Sequence, residues 1–314
     1  MEKILLFDSR LLSISLLLTI ILDWIYPEHK GIMLKIHPVH TSYYLSLNLA
    51  KPYSSRWRGV AVWLFVVTVH IVPALFLMTI SYKLSPILYI IISVVILKFS
   101  ISLRLLLDIC HQVLENVKHG DLDGARKYAQ LIVRRDVYKL DEGRIISATL
   151  ESLAESSVDG FISPLTYYSF LGPIGSLLQR IANTLDGSIG FKTPEFSKVG
   201  WFSAKADSLL NYIPARIAAL LMVILAPTVG GSIKESFRVW RKWHNATESI
   251  NAGHPMAAIA GVLRIRLEKV GHYIINMESR LPTSEDLAKG IRFMITVNFT
   301  YIMLIILPIL LICL

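Results

Sequence analysis

Two apolar runs follow one another in the first third of the chain: GVAVWLFVVTVHIVPALFLMTIS over residues 59–81 and LSPILYIIISVVILKFSISL over residues 84–103. Each run has about 20 residues, which as an α-helix is long enough to cross the hydrocarbon part of a bilayer. Only Tyr82 and Lys83 separate them, so we expect a helical hairpin with a very short turn. Together with the interrupted runs and polar regions that follow in the chain, the pair predicts an all-α, polytopic membrane protein with broken or re-entrant helices and helical cytoplasmic loops.

Composition supports a membrane protein and argues against a nucleic-acid-binding one. Of the 314 residues, 54% are hydrophobic and only 18% are charged, whereas soluble domains have about a quarter charged residues. The formal net charge is +9, but the basic residues lie in loops beside apolar runs, where the inside-positive bias and anionic lipid account for them. We therefore expect a lipid bilayer as partner and no nucleic acid. The two cysteines, Cys110 and Cys313, indicate neither a metal knuckle nor a disulfide framework.

The remaining runs predict a single integral membrane domain over residues 1–314. An N-terminal apolar run carries Asp8, Arg10 and Asp23 and has no small-residue cleavage site, so we interpret it as a retained helix. The predicted membrane helices are residues 5–26, 59–81, 84–103 and 293–314; the broken or re-entrant segments are 161–182 and 213–230; the polar helical regions are 104–160 and 232–292.

The basic loops set the predicted topology. Loops 23–58 and 104–160 are basic, which places both in the cytoplasm and the N-terminus outside. Segment 161–182 is interrupted by prolines and glycines, which is typical of a re-entrant hairpin or a broken helix. If it and segment 213–230 both crossed, residues 183–212 would face outward. If both segments instead enter the membrane and return to the cytoplasmic side, residues 183–212 stay in the cytoplasm. We favour this second arrangement.

Three acids spaced by four open the most polar stretch of the chain: Glu151, Glu155 and Asp159. On a helix that begins at Asp141 as its N-cap and ends at Gly160, this spacing places them on one face, roughly 6 Å apart. Like charges so stacked repel, and a hydrated divalent ion is one group that would offset the repulsion. A solvated acidic face is the alternative, and it explains three acids alone better.

Further polar groups lie on either side of this stretch. Arg135 and Asp136 are adjacent, which alone indicates a surface ion pair. Residues 183–187, Asn-Thr-Leu-Asp-Gly, are either a turn or an ion site at the edge of the broken segment. Lys192 and Lys205 add positive charge in the same loop.

A second group of polar residues follows. Asp207 and Asn211 are four apart, and Arg216 lies one turn further if Pro214 only kinks the helix. Residues 251–255, Asn-Ala-Gly-His-Pro, form either a plain loop or the start of a helix that receives a phosphate. The chain has no Walker loop, no nucleophile elbow and no zinc signature.

Together these residues are typical of acids that hold magnesium beside cations that hold phosphates, at a membrane surface. That combination favours phosphoryl transfer or nucleotide-driven condensation, in which positioning and charge neutralisation supply most of the catalysis. We predict that the polar clusters converge into a single magnesium and nucleotide pocket at the inner lipid boundary.

Order and spacing of these residues over some 250 positions resemble the adenosylcobinamide-phosphate synthase (CobD/CbiB) family of cobalamin biosynthesis. The densest agreement is in Glu151, Ala154-Glu155, Asp159-Gly160, Pro164, Asn183-Thr184-Leu185-Asp186, Gly190, Lys192, Gly200-Trp201, Asp207 and Asn211-Tyr212-Ile213-Pro214-Ala215-Arg216. Asp23, Pro27, His37-Pro38, Arg135-Asp136, Leu140, Ser249-Ile250-Asn251-Ala252-Gly253, Pro255, Ala257, Gly261 and Tyr273 extend it.

The resemblance implies an amide ligase. Such an enzyme joins a propionate carboxylate of adenosylcobyric acid to the amine of an aminopropanol phosphate, or a similar amino-alcohol phosphate, with ATP and Mg²⁺. It implies a multi-pass protein of the cell membrane, with its active site on the cytoplasmic face. A homo-oligomer, or a complex with other corrinoid-assembly membrane proteins, would fit this setting.

The resemblance also assigns roles to the matching residues. Catalytic roles, as base or in holding magnesium, fall to Glu151, Glu155, Asp159 and Asp186. The metal ligands are Glu155, Asp159, Asp186 and Asp207. Substrate and phosphate binding falls to Arg135, Asn183, Lys192, Lys205, Asn211, Arg216 and Asn251.

Some positions depart from the family pattern. Asp207 is followed by Ser208 where paired acids are usual, and Lys205 replaces a common Arg, which loses the bidentate fork but keeps the charge. Ile250 replaces a usual Pro, and Ser156-Ser157 replace an Asn-containing pair. A transport or corrinoid-binding protein without catalysis, or a regulatory homologue, is the alternative to a ligase.

Overall fold

A computed structural model describes residues 8–312 of the chain, with side chains to residue 309. The chain forms two compact units. Unit 1 comprises Met1–Ser102, Asp159–Leu210 and Leu304–Leu314, and unit 2 comprises Leu103–Val158 and Asn211–Met303.

Most of the described residues are helical, which confirms the predicted all-α class. The helices in chain order are α1 Ser9–Ile25, α2 Ile32–Lys35, α3 Pro38–Ala50, α4 Arg56–Leu84, α5 Pro86–Ser100, α6 Arg104–Lys118, α7 Leu122–Gln130, α8 Glu142–Ser157, α9 Ser163–Ile189, α10 Trp201–Leu210, α11 Tyr212–Leu225, α12 Ile233–Trp243, α13 Gly253–Leu263, α14 Ser284–Tyr301 and α15 Leu307–Ile312. Two short antiparallel strands, β1 Leu267–Lys269 and β2 Tyr273–Ile275, form a hairpin that the sequence did not predict.

The predicted hairpin of apolar runs is present in unit 1. Helices α4 and α5 are separated by Ser85 alone, whose hydroxyl accepts the Ile87 N–H at 3.2 Å. Pro86 at the first turn of α5 has no N–H to lose there. His70, inside α4, is hydrogen-bonded through both ring nitrogens, to the Thr41 hydroxyl (2.8 Å) and to the Val66 carbonyl (2.7 Å).

The broken segment is also present. Helix α9 is interrupted at Gly172, which has φ 58° and ψ −153° and precedes Pro173. Only glycine adopts such a backbone conformation without strain, and proline cannot donate to the preceding turn. This kink confirms that residues 161–182 do not form a regular helix.

Helix α8 begins as predicted but does not end as predicted. The Asp141 carboxylate accepts the Arg144 N–H at 2.9 Å, so Asp141 is the N-cap. The prediction that Gly160 stops the helix is wrong, because Gly160 lies within a π-helical turn, Val158–Ile162, that is followed by α9. Gly160 does not adopt the positive φ that a C-terminal glycine uses to end a helix.

Helix α13 is the core of unit 2, and all of its residues are buried. It packs against α8, α11, α12 and α14. Two glycines allow α12 to approach it closely. A Cβ on Gly253 would lie 2.1 Å from the His244 carbonyl oxygen, and a Cβ on Gly261 would lie 2.8 Å from the Cα of Ser236. The two contacts pair the end of α12 with the start of α13, so these helices are antiparallel.

Four helical segments among the described residues are long and apolar enough to cross a membrane: Arg56–Leu84, Pro86–Lys118, Tyr212–Val229 and Ser284–Ile309. The last begins before the predicted boundary at residue 293, because Thr283 and Asp286 form a capping box. The predicted N-terminal helix is represented by α1, while residues 5–7 and Cys313 lie outside the described residues. The single membrane domain and the re-entrant path of segments 161–182 and 213–230 stay predictions.

Candidate functional site

Glu151 occupies a buried network in unit 2. Its side chain is 4% exposed and accepts hydrogen bonds from the Arg135 guanidinium at 3.2 and 3.3 Å. The Ser147 hydroxyl donates at 2.8 Å and the Tyr273 hydroxyl at 2.7 Å. Burial raises the pKa of the Glu151 carboxyl, and the charge of Arg135 opposes that rise. Four donated hydrogen bonds make Glu151 the anchor between α8, β2 and the segment before α8.

The interpretation of Arg135 and Asp136 as a surface ion pair is wrong. Arg135 pairs with Glu151, and the Asp136 carboxylate instead accepts the Tyr138 N–H at 2.9 Å. A buried carboxylate needs a cation more than an exposed one does, because water no longer solvates it. Burial of Glu151 therefore decides which acid Arg135 meets.

A second polar group in unit 2 surrounds Arg216 on α11. Its guanidinium carbon lies 3.4 Å from the centre of the Tyr212 ring. One guanidinium nitrogen donates to the Tyr212 carbonyl oxygen at 2.6 Å and to the Asn251 side-chain oxygen at 3.3 Å. The predicted binding residues Arg216 and Asn251 are thus brought together, although 35 positions separate them.

His254 belongs to the same group, and sequence reasoning did not single it out. It is 6% exposed, and the Trp240 indole N–H donates to its Nδ1 at 3.0 Å. Burial, followed by the charges of Arg216 and His244, lowers the pKa of His254 to about 4. A buried histidine beside an arginine is a signal that only the folded chain reveals.

In unit 1 the candidate residues gather on α9 and α10. The Asn183 side-chain nitrogen donates to the Asp207 carboxylate at 3.1 Å. Asp186 lies one turn after Asn183 on α9, so both acids flank Asn183. A Cβ on Gly190 would lie 2.1 Å from Asp186 Oδ1, so the glycine leaves room for this carboxylate. Lys192 and Lys205 are exposed.

Asp159 interacts electrostatically with Arg180 of α9. An Arg180 guanidinium nitrogen lies 3.5 Å from where a Cβ on Gly160 would be. Sequence reasoning missed Arg180, although a charged residue inside an otherwise apolar segment is a recognised sign of function.

The remaining candidates differ in exposure. Glu155 on α8 is half-buried, and Asn211, just before α11, is 1% exposed. Nowhere in residues 8–312 do three His, Cys, Asp or Glu side chains gather closely enough to hold a metal ion by themselves. Magnesium that arrives with a nucleotide needs only one or two protein carboxylates, since phosphates and water complete its shell. The carboxylates of Asp186 and Asp207 beside Asn183 are oxygen donors of that kind.

The candidate residues divide between the units. Unit 1 holds Asp159, Asn183, Asp186, Lys192, Lys205 and Asp207, and unit 2 holds Arg135, Glu151, Glu155, Asn211, Arg216 and Asn251. Each unit brings some of its own members together. The convergence of all of them into one pocket stays a prediction.

The fold and these buried polar groups define an α-helical membrane protein with candidate sites for anions and oxygen-liganded cations. The family model described as CobD/Cbib protein matches residues 16–294. The chain belongs to this family.

Curated relatives agree with this membership. The chain is 45% identical over 297 residues to the "Probable cobalamin biosynthesis protein CobD" of Aeropyrum pernix, which covers 95% of this chain and 93% of the relative. It is 33% identical over 295 residues to the protein of the same name from Thermoplasma volcanium, and this alignment covers 93% of this chain and 95% of the relative. It is 34% identical over 261 residues to "Cobalamin biosynthesis protein CobD" of Clostridium perfringens, and this alignment covers 81% of this chain and 82% of the relative. No solved structure matches the chain.

Proposed function

We propose that this protein is an ATP-dependent amide ligase of cobalamin biosynthesis. It joins a propionate carboxylate of adenosylcobyric acid to the amine of aminopropanol phosphate, or of a similar amino-alcohol phosphate, and releases ADP and phosphate. The observation that supports the proposal is the Arg216–Asn251 contact in unit 2, which brings together two side chains to which we assign phosphate binding, in a chain of this family.

The chemistry requires an activated carboxylate, because a free carboxylate is a poor acylating agent. A carboxylate oxygen attacks the γ-phosphorus of ATP, the bond to the β-phosphate oxygen breaks, and ADP leaves. The amine, once it has lost its ammonium proton, attacks the carbonyl carbon of the acyl phosphate. The amide forms and inorganic phosphate leaves with one oxygen of the original carboxylate.

We assign the magnesium role to the carboxylates of Asp186 and Asp207. Bound magnesium would neutralise the phosphates of ATP. The hydrogen bond from Asn183 orients the Asp207 carboxylate, and Gly190, which has no Cβ, leaves room for the Asp186 carboxylate. Glu155 and Asp159 are the further candidates, for magnesium or for accepting the ammonium proton.

Phosphate neutralisation falls to the cationic side chains Arg216, Lys192 and Lys205, with Asn211, Asn251 and Asn183 orienting substrate. Arginine can donate two parallel hydrogen bonds to a phosphate, while lysine acts as a point charge. Glu151 and Arg135 contribute by holding α8 in place, since their hydrogen bonds are made to each other. We place the active site on the cytoplasmic face of the cell membrane, where ATP is available.

The proposal is tested by incubating detergent-purified protein with ATP, Mg²⁺, adenosylcobyric acid and aminopropanol phosphate, or ethanolamine phosphate in a parallel sample. We expect ADP and the amide product in equal amounts, measured by liquid chromatography with mass spectrometry. Binding of adenosylcobyric acid without product under either pairing would favour a corrinoid-binding, transport or regulatory homologue instead.

The metal assignment makes a separate prediction. Asp186→Asn and Asp207→Asn remove negative charge but keep size, so each should raise the Mg²⁺ concentration for half-maximal turnover about tenfold or more, as loss of an ion contact of about 1.4 kcal/mol or more would. Asp136→Asn, at an exposed acid, is the matched control and should leave that concentration unchanged. If the Mg²⁺ dependence of turnover were unchanged in both Asp186→Asn and Asp207→Asn, these two acids would not be metal ligands.

A further inference from the structure

His254 has one fixed arrangement of its ring protons. An indole N–H can only donate a hydrogen bond, so the Nδ1 of His254, at 3.0 Å from Trp240 Nε1, must be an unprotonated acceptor. The imidazole is then neutral and carries its proton on Nε2. Trp240 thereby makes the other ring nitrogen a hydrogen-bond donor.

Arg216 carries a charge that no ion pair among the described residues neutralises. Its guanidinium contacts a carbonyl oxygen, an amide oxygen and an aromatic ring, and no carboxylate within the described part of the chain forms an ion pair with it. A partly buried cation without a counter-ion favours an anionic ligand. The charge of Arg216 helps to lower the pKa of His254, whose side chain is more than nine-tenths buried.

We propose that the Nε2–H of His254 donates a hydrogen bond to a phosphate group held by Arg216 and Asn251, and that Trp240 is the positioning residue that fixes this donor. The assignment rests on the proposed function for the identity of the phosphate, which belongs either to the amino-alcohol phosphate or to ATP. It adds a binding residue, and a residue that controls its tautomer, to the site.

A neutral donor suits this position. A histidinium beside Arg216 would place two cations together in a buried site, whereas the neutral ring donates without that repulsion. The ring of His244 lies 4.8 Å from that of His254, and its Nδ1 faces the carbonyl oxygens of Trp240 and Arg241. Because carbonyl oxygens only accept, His244 carries its proton on Nδ1.

Two buried acids on elements packed against α13 are engaged with other residues. Glu151 of α8 is bonded to Arg135 and to Tyr273 of β2, and Asp286 of α14 is paired with Arg280. Arg216 and His244 are therefore the charged and titratable groups that His254 responds to.

The test is equilibrium binding to the detergent-purified full chain, measured by calorimetry without turnover, with aminopropanol phosphate in one arm and a non-hydrolysable ATP analogue in the other. His254→Gln keeps an N–H near the Nε2 position and should bind within about threefold of the parent. His254→Leu removes the donor and should weaken binding in one arm about 10- to 100-fold, as expected for a hydrogen bond to a charged group. The arm that loses affinity identifies the source of the phosphate. His272→Gln, at an exposed histidine, is the control and should bind like the parent.

Trp240→Phe tests the positioning role through pH. Without the indole N–H, Nδ1 of His254 is free to take a proton, so the ratio of variant to parent affinity in that arm should rise as pH falls from 8 to 5.5. Taking the ratio at each pH removes the titration of the phosphate itself. A constant ratio would overturn the role of Trp240, and parent-like affinity of a folded His254→Leu variant in both arms would overturn that of His254.

If His254→Leu does not fold, which its thermal unfolding curve would show, His254→Asn replaces it, because its shorter amide cannot reach the Nε2 position. The binding results also separate the two proposals. Absence of amide product together with the expected binding pattern would refute the ligase and leave the phosphate site standing. Normal turnover with unchanged binding in every His254 variant would refute the phosphate site alone.

Discussion

At the scale of single residues, the pair of Arg135 and Glu151 supports unit 2 most directly. Removing one partner leaves the other charge buried, which costs about 3–5 kcal/mol. Arg135→Ala should therefore lower the unfolding midpoint of the detergent-purified protein by several degrees, measured by differential scanning fluorimetry. Arg134→Ala, at the exposed neighbour, should change it little.

A double variant tests whether Arg135 and Glu151 stabilise each other. Arg135→Ala with Glu151→Ala removes both charges, so it should be more stable than the sum of the two single effects predicts. Strictly additive losses would mean that Arg135 and Glu151 do not stabilise one another.

Histidine burial predicts how stability depends on pH. Burial lowers the pKa of His254 to about 4 and that of His37 to about 3, whereas an unfolded histidine titrates near pH 6.5. Between these values unfolding takes up protons, so stability is full above pH 6.5 and is lost as pH falls toward 4.

Two variants show how much of this pH dependence of stability comes from His254. His254→Gln should flatten the fall of the unfolding midpoint between pH 6.5 and 4, and His272→Gln should not. An equal slope in the parent and in His254→Gln would contradict a neutral, buried His254.

Single residues also show why the site was only partly predictable. Spacing by four placed Glu151 and Glu155 correctly on one helix, because helical geometry is local. The partner that buries Glu151, Tyr273, is 122 positions away, and no local pattern records such a contact. For the same reason His254 was passed over, since its meaning depends on Trp240 and Arg216.

At the scale of helices, the packing of α12 on α13 depends on two glycines. Gly253→Ala would place a methyl group 2.1 Å from a backbone oxygen, which cannot move like a side chain. We expect a loss of about 1–3 kcal/mol in the free energy of unfolding, typical of overpacking, and weaker phosphate binding because α13 carries His254.

Gly143→Ala on α8 is the control for that variant. Its new methyl group would meet only the flexible side chain of Leu281, at 3.2 Å, and alanine favours helix by about 1 kcal/mol over glycine. Chemical denaturation should therefore show little loss or a gain. Equal destabilisation by both substitutions would contradict the close approach at Gly253.

Helix starts were easier to predict than helix ends. Asp141 caps α8 through a side chain that accepts a nearby N–H group, and this interaction is encoded within three residues. The end of α8 depended on whether Gly160 adopted a positive φ, which its sequence neighbours did not determine. The β1–β2 hairpin likewise lacked the alternating pattern that predicts strands.

At the scale of the whole molecule, the predicted topology is testable by cysteine labelling in intact cells. A cysteine at Ser197, in the exposed loop before α10, should resist a membrane-impermeant maleimide if that loop is cytoplasmic. It should react after the cells are permeabilised.

Lys83→Cys is the matched control for Ser197→Cys. It lies at the end of α4, which the predicted topology places on the outer side of the membrane, and it should then react without permeabilisation. Labelling of Ser197→Cys from outside would contradict a cytoplasmic active site and would favour segments 161–182 and 213–230 that both cross the membrane.

The most direct measurement of the central claim follows oxygen through the reaction. Adenosylcobyric acid with ¹⁸O in its reacting carboxylate is incubated with the protein, ATP, Mg²⁺ and aminopropanol phosphate, and the released phosphate is analysed by mass spectrometry. An ATP-dependent ligase that works through an acyl phosphate should give one ¹⁸O in each phosphate released and one amide product for each ADP. Phosphate without ¹⁸O, or phosphate release with no amide formed, would contradict it.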